Sequence, residues 1–384
     1  MTWLQKPICV TGATGFIGGR VCERLVQAGA PKVRAMYHNI RHAPRIARLP
    51  VELCRGNLRD LKSLRECVGE AKTVIHCALG DWHGIASDTG HVLQAAKSAQ
   101  VERFIHLSTT AIYGFRPTPD CNAEEAPYRT TGHEYCDNKM RAEKVVRNFC
   151  RRGLPAVILR PSIVYGPFAS WSTELLGNLR SGEATLIDEG KGACNTTYVD
   201  NLVDAIFLAI ENEKAVGEAF FITDGERVTW ADFIRAHVAM MESKPALQEI
   251  TEQEATTYWQ QQPGNWAKSW REARQILVGG ELRQLLKRIP VMASVLSWAW
   301  RRYRDVDVEA KARFRDRLAG VSGGAAGARA AKYIPDPTTL QIQTHNVFFR
   351  IDKARRILGY QPRVSFAEGI RLVEQWLRFA DYLP

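Results

Sequence analysis

A doubly wound, parallel α/β sheet is the fold class this sequence predicts, and three observations predict it. Short apolar or β-branched runs alternate with helix-patterned stretches through the first half of the chain. A glycine-rich turn joins the first such run to the first helix. The 384 residues, 45% hydrophobic and 24% charged, have a globular composition and enough chain to bury a large core.

The elements follow in order. "KPICV", "KVRAMY", "VELC", "KTVIHCA", "RFIHLST" and "AVILRP" read as strands, and "EAFFIT" as a later one. The first helix is expected from about Arg20 to Ala28, closed by Gly29. A second begins near Asp200, and a third behind Thr229, an N-cap residue. The C-terminal stretch gives two helices separated by Gly-Tyr-Gln-Pro. Residues 1–165 are expected to form one α/β domain, whose core continues through 197–222. Residues 166–384 form a smaller, mostly helical substrate-binding region with a basic helical insertion at about 250–332.

Charge is concentrated in that insertion. Of the net +11, the stretch 268–332 carries fifteen Lys/Arg against six Asp/Glu, so the surface as a whole does not call for nucleic acid. Within it, 281–304 has Leu282, Leu285, Leu286, Ile289, Leu296, Trp300 and Tyr303 at helical spacing, with a charge-free core too short to span a bilayer. The readings there are a lid or a packing face for a homodimer and, as the alternative, peripheral contact with an anionic membrane. The opening "MTWLQKPICV" lacks the cationic and apolar signature of an export signal. Nine cysteines without C-x-x-C spacing predict reduced thiols, a cytoplasmic setting and no metal site.

"CVTGATGFIGGRV" places Gly12, Gly15 and Gly18 after the first strand, with Phe16 and Ile17 opening the helix. Glycines here let the backbone turn tightly and approach a pyrophosphate at the helix N-terminus, the Rossmann arrangement. An acid at the end of the second strand would hold the ribose 2′-hydroxyl of NAD. Tyr37 stands there instead, followed by His38, Arg41 and Arg45, which favours NADP over NAD. Asn57 and Leu58 are placed along the adenine edge, with Ala78 and Gly80 beside the cofactor.

Thr109 and Thr110 follow the fifth strand, where a doubly wound sheet receives its ligands. Tyr135 and Lys139 lie four apart on the next helix and share a face. A tyrosine alone, with pKa about 10, is a poor base at neutrality; a neighbouring lysine cation favours its phenolate. Thr109 can hold the substrate oxygen beside the phenol while hydride moves between substrate carbon and nicotinamide. Lys139 can also hold the nicotinamide ribose.

In "TGATGFIG", "HCA", "STTAIYG", "YCDNKMRAE", "LRPSIVYGP" and "TYVDNLVDA", the chain resembles the extended short-chain dehydrogenase/reductase superfamily, in its epimerase/dehydratase and 3β-hydroxysteroid-dehydrogenase-like branches. The resemblance runs from residue 8 to about 211. It implies catalytic roles for Thr109, Tyr135 and Lys139, and a nicotinamide lined by Pro161 to Val164, Ile163 among them. It also implies an NAD(P)-dependent oxidoreductase acting on a secondary alcohol or ketone of a sugar or of a sterol-like, lipophilic substrate. The alternative is a nucleotide-sugar epimerase or dehydratase with tightly bound NAD. A non-catalytic polyanion- or protein-binding member ranks behind both, because all three catalytic positions are filled. The chain departs from the pattern in "GDWHGIASDTGHVLQAA", with Asp88 and His91 where the family commonly has Gly and Asn.

Trp82, His83, Thr110, Trp171 and Ser172 are the substrate-contact candidates. His76 and His106 read as packed structural histidines, and Gly132 to Glu134 as a loop. Asp200 and Asp204 read as a solvated helix start.

Overall fold

The computed structural model describes residues 2–261 and 332–384. Strands β1 (Ile8–Thr11), β2 (Val33–Tyr37), β3 (Glu52–Arg55), β4 (Thr73–His76), β5 (Arg103–Leu107) and β6 (Ala156–Pro161) come first. Next are β7 (Ile163–Tyr165), β8 (Thr185–Ile187), β9 (Thr196–Tyr198), β10 (Ala219–Ile222) and β11 (Gln248–Ile250). Seven of them make one parallel sheet in the order β10-β6-β5-β4-β1-β2-β3. β7 pairs with β9, and β8 with β11, as two small parallel ribbons. The smaller region is thus not purely helical.

Alternation along the strands fills both faces of the sheet. Ile8, Val10, Ile75, Ile105 and Val157 pack with α1 (Phe16–Gln27) and α6 (Val199–Glu211). Cys9, Val74, Phe104 and Ile158 point the other way, against α2 (Leu61–Val68), α3 (Ile85–Ser98) and α4 (Glu134–Arg151). The strand order reverses between β1 and β4, so their carboxyl ends open a crevice where such sheets bind ligands.

α1 begins at Phe16, earlier than the periodicity suggests, because the glycine turn passes directly into the helix. It ends where Gly29 takes a left-handed φ of 83°. α5 (Ser170–Ser181) and α7 (Trp230–Met240) follow, α7 closed by a reciprocal capping box between Thr229 and Asp232. α8 (Glu252–Gln261), α9 (Pro337–Thr344) and α10 (Phe366–Phe379) complete the described helices. One compact unit reaches Glu252 and resumes at Tyr333; Gln253–Lys332 form the other. Segment 281–304 and most of the basic stretch lie outside the described residues. No described helix is long and apolar enough to cross a membrane.

The acids opening α6 are not solvated. Asp200 accepts from Arg20 at 2.7 Å and from Arg24 at 3.0 Å, and Asp204 accepts from Arg24 at 2.7 Å. Burial works against the Asp200 charge, but the two guanidinium groups outweigh it and hold the carboxyl below its ordinary range. These pairs join α1 to α6 beneath the sheet and take no part in the crevice.

Candidate active site

The glycine turn fits a dinucleotide phosphate. Gly12 has φ 67°, and a Cβ there would stand 2.6 Å from the Ala78 backbone. A Cβ on Gly18 would stand 2.2 Å from the Gly12 carbonyl oxygen. Such approaches exclude any side chain and leave the backbone bare. Gly15 caps α1 without a side-chain hydrogen bond, so no side chain competes for the first-turn N–H groups that favour an anion. Ala78, with its N–H 3.4 Å from Thr11 Oγ1, closes the crevice from β4.

Tyr37 ends β2 half-buried, and His38 and Arg41 are exposed just beyond it. Arg45 is not available to a phosphate. Its Nε donates to Glu23 at 2.7 Å, its guanidinium approaches the Phe16 carbonyl oxygen, and it covers the Phe168 ring at 4.1 Å. Asn57 accepts from the Arg59 N–H at 3.0 Å, and the Leu58 carbonyl oxygen lies 2.8 Å from His91 Nδ1. That turn is therefore fixed with its Leu58 side chain half-exposed.

Across the crevice, Thr109 caps a short 3-10 turn, its Oγ1 accepting from Ala111 N–H at 3.1 Å. The same hydroxyl also hydrogen-bonds the Tyr135 phenol, so the two side chains are joined. Tyr135 and Lys139 leave the same face of α4 one turn apart. Trp82 and Phe115 flank the Tyr135 ring at 5.6 and 6.4 Å, the latter stacked within 4° of parallel. The Asn138 amide donates to the Trp82 carbonyl at 2.8 Å and fixes that loop to α4. His83 is exposed and paired with Glu134, at the rim.

A pocket of about 200 Å³ gathers Thr109, Thr110, Tyr135, Ile163 and Trp171. Phe115, Pro117, Ile342, His345 and Phe349 complete most of its wall. Pro161 is buried at the end of β6, behind Ile163. Ser172 is not among the lining residues. It is fully buried, and its hydroxyl lies 3.0 Å from His237 Nε2, because the first turn of α5 faces α7 there. Ile342, His345 and Phe349 escaped sequence reasoning: they lie far downstream, in no motif, and reach the site only through the fold.

The electrostatics differ from expectation at Tyr135. Burial pushes its phenol up to about 12, the Cys136 thiol adds to this, and the Thr109 hydroxyl pulls it back. Lys139 is buried with its Nζ donating to the Leu107 carbonyl at 3.0 Å. Burial lowers it to about 8, against the pull of Glu143. The protein alone thus holds the tyrosine neutral and the lysine near its titration point.

Behind the pocket lies a buried ion pair, Arg160 with Glu143 at 2.7 Å. Ser108 Oγ donates to Glu143 at 2.5 Å and Tyr128 Oη at 2.6 Å, while Arg160 also reaches Tyr113 Oη at 2.9 Å. Burial opposes the Glu143 charge, but Arg160 and these hydroxyls outweigh it and keep the carboxyl below its ordinary range. Ser108 and Arg160, which precede Thr109 and Pro161, and Glu143, one turn beyond Lys139, are tied into this one network. His76 and His106 are buried beside it, kept neutral first by burial and then by the Lys139 charge. His76 is held by Thr11 Oγ1 at 2.8 Å. No cluster able to hold a metal ion occurs among the described residues.

The fold, together with the family match and the relatives below, makes this an enzyme of the extended short-chain dehydrogenase/reductase superfamily. Residues 8–222, more than half of the chain, match the NAD dependent epimerase/dehydratase family, and the chain belongs to that family. It is 28% identical over 249 residues to a 2-alkyl-3-oxoalkanoate reductase of Stenotrophomonas maltophilia, covering 60% of this chain and 74% of the relative. A 3-beta-hydroxysteroid dehydrogenase of Mycolicibacterium neoaurum is 22% identical over 384 residues, 92% of this chain and 87% of that one. In fold the protein is similar to the UDP-glucuronic acid 4-epimerase of Bacillus cereus solved with NAD. There the TM-score is 0.64 at 17% identity, over 97% of this chain and 99% of that one.

Proposed function

We propose that the protein is an NADP-preferring oxidoreductase that interconverts a ketone and a secondary alcohol on a lipophilic substrate, with Tyr135 as the acid and base. One observation carries this reading: Tyr135 and Thr109 open into a pocket where Phe115, Pro117, Ile163, Trp171, Ile342 and Phe349 stand beside the polar Thr110, Ser162 and His345. Such a wall suits an acyl chain or ring system better than a sugar, whose hydroxyls need polar partners. The names of the reductase and hydroxysteroid dehydrogenase relatives support the same chemistry.

The glycine turn would hold the pyrophosphate, and the bound cofactor supplies or accepts the hydride. The chain's own residues do the rest. Thr109 turns its hydroxyl proton from the Tyr135 phenol to the substrate oxygen and sets that oxygen against the phenol. In reduction Tyr135 Oη gives its proton to that oxygen as the carbinol forms; in oxidation it takes the proton back. Lys139 steadies the resulting phenolate with its cation.

The pH dependence follows from these groups and tests the assignment. Reduction needs neutral Tyr135 and charged Lys139, so its rate should be flat through neutrality and fall above about 8 as Lys139 loses its proton. Oxidation needs the phenolate, so its rate should climb with pH from neutrality. Initial rates in both directions between pH 6 and 10, a range of roughly four units around these groups, decide the matter. An oxidation rate falling as pH rises would remove Tyr135 as the base.

The cofactor preference rests on the missing acid after β2 and on exposed His38 and Arg41. Arg41→Ala should raise the dissociation constant for NADPH roughly tenfold while leaving NADH nearly unchanged, as read by fluorescence titration. Equal effects on the two cofactors would place Arg41 outside the 2′-phosphate site.

A further inference from the structure

We propose that the open cleft beside the catalytic pocket is an anion-binding subsite that takes a carboxylate or phosphate carried by the substrate. The cleft, about 680 Å³, shares Pro117, His345 and Phe349 with the catalytic pocket, so the two adjoin. Its charge is unbalanced: Arg116, Arg227, Arg350 and Arg355 line it against Glu226 and Asp352.

Most of these groups are already engaged. Arg116 pairs with Glu252, and Arg350 with Asp352 at 2.7 Å. Glu226 accepts the Phe366 N–H at 2.6 Å. Arg227 and Arg355 have no carboxylate partner among the described residues. They are nonetheless positioned. The Arg227 guanidinium lies 4.2 Å from the centroid of the Phe348 ring. Arg355 Nη2 stands 3.0 Å from where a Gly225 Cβ would be, so that glycine, at φ 72°, gives the guanidinium its place. Two guanidinium groups from separate elements line one cleft that adjoins the catalytic pocket, and both are available to an oxyanion bound there.

The subsite deepens the proposed function, since it gives the lipophilic substrate an acidic head. Its test does not depend on turnover. The NADPH-loaded protein is titrated by calorimetry with decanoate and with decanol, alike in chain and different in charge. The wild type should bind decanoate roughly tenfold tighter, and Arg227→Ala/Arg355→Ala should abolish that difference while leaving decanol affinity unchanged. Both side chains are exposed, and unaltered NADPH binding would show the double variant to be folded. Equal affinity for the two ligands in the wild type, or a preference surviving in the variant, overturns the subsite. Failure of the oxidoreductase reading looks different: no ketone would oxidise NADPH, and the titration would still decide the cleft.

Discussion

Tyr135→Phe is expected to lower turnover by roughly 10²–10⁴-fold while changing nucleotide affinity less than about threefold. The variant keeps the ring between Trp82 and Phe115, at 5.6 and 6.4 Å, and so keeps the packing of the loop fixed by Asn138. What it removes is the hydroxyl facing Thr109. The loss should appear in kcat in both directions, since the same proton is given in reduction and taken in oxidation. Steady-state kinetics beside a fluorescence titration of NADPH separate the two quantities. A variant retaining more than half of its activity would show that another group moves the proton.

Glu143→Ala carries the second large effect, on stability. Removing one partner of a fully buried ion pair costs about 3–5 kcal/mol, because the other charge stays behind without compensation. Here Arg160 would remain 1% exposed, facing Tyr113 and Tyr128. Urea unfolding should therefore show a midpoint far below wild type, while Glu143→Leu combined with Arg160→Met should recover much of the loss. A loss under about 1 kcal/mol in the single variant would mean that water reaches the pair. The network also ties the backbone next to Thr109 and Pro161 to α4, so the destabilised variant should lose activity before it unfolds.

The sheet was legible because its inner strands β1, β4, β5 and β6 are buried on both faces and read as continuous apolar runs, with a glycine turn after the first. The positions of Thr109 after a strand and of Tyr135 and Lys139 on one helix were legible for a related reason: helical spacing and strand ends are local signals. Glu143 was not. It lies in "KMRAEK", which looks solvent-facing, and only the buried Arg160 explains its place. Arg45 misled in the opposite direction, as a cation near the expected phosphate that Glu23 and Phe168 in fact occupy. Asp200 and Asp204 likewise look solvated in sequence but bind arginines of α1. Ser172 adjoins Trp171, which lines the pocket, yet it turns to His237. In each case a long-range pairing decides, and no local pattern records it.

The tyrosine's raised phenol also assigns work to the cofactor. Burial favours the neutral form up to about 12, so on the proposed mechanism a bound oxidised nicotinamide, with Lys139, would have to supply the positive charge that brings the phenolate within reach. This makes the neutral phenol, poised for carbonyl reduction, the resting form of the site.

The central claim is net hydride transfer to or from the substrate rather than its return within one active site. Cofactor balance measures this most directly: NADPH absorbance followed through many turnovers with a lipophilic ketone, beside chromatographic quantification of the alcohol. Sustained oxidation is expected, with one NADPH consumed per alcohol formed. Isomerisation of a nucleotide sugar with a flat cofactor absorbance, and no oxidation with any ketone, would contradict it.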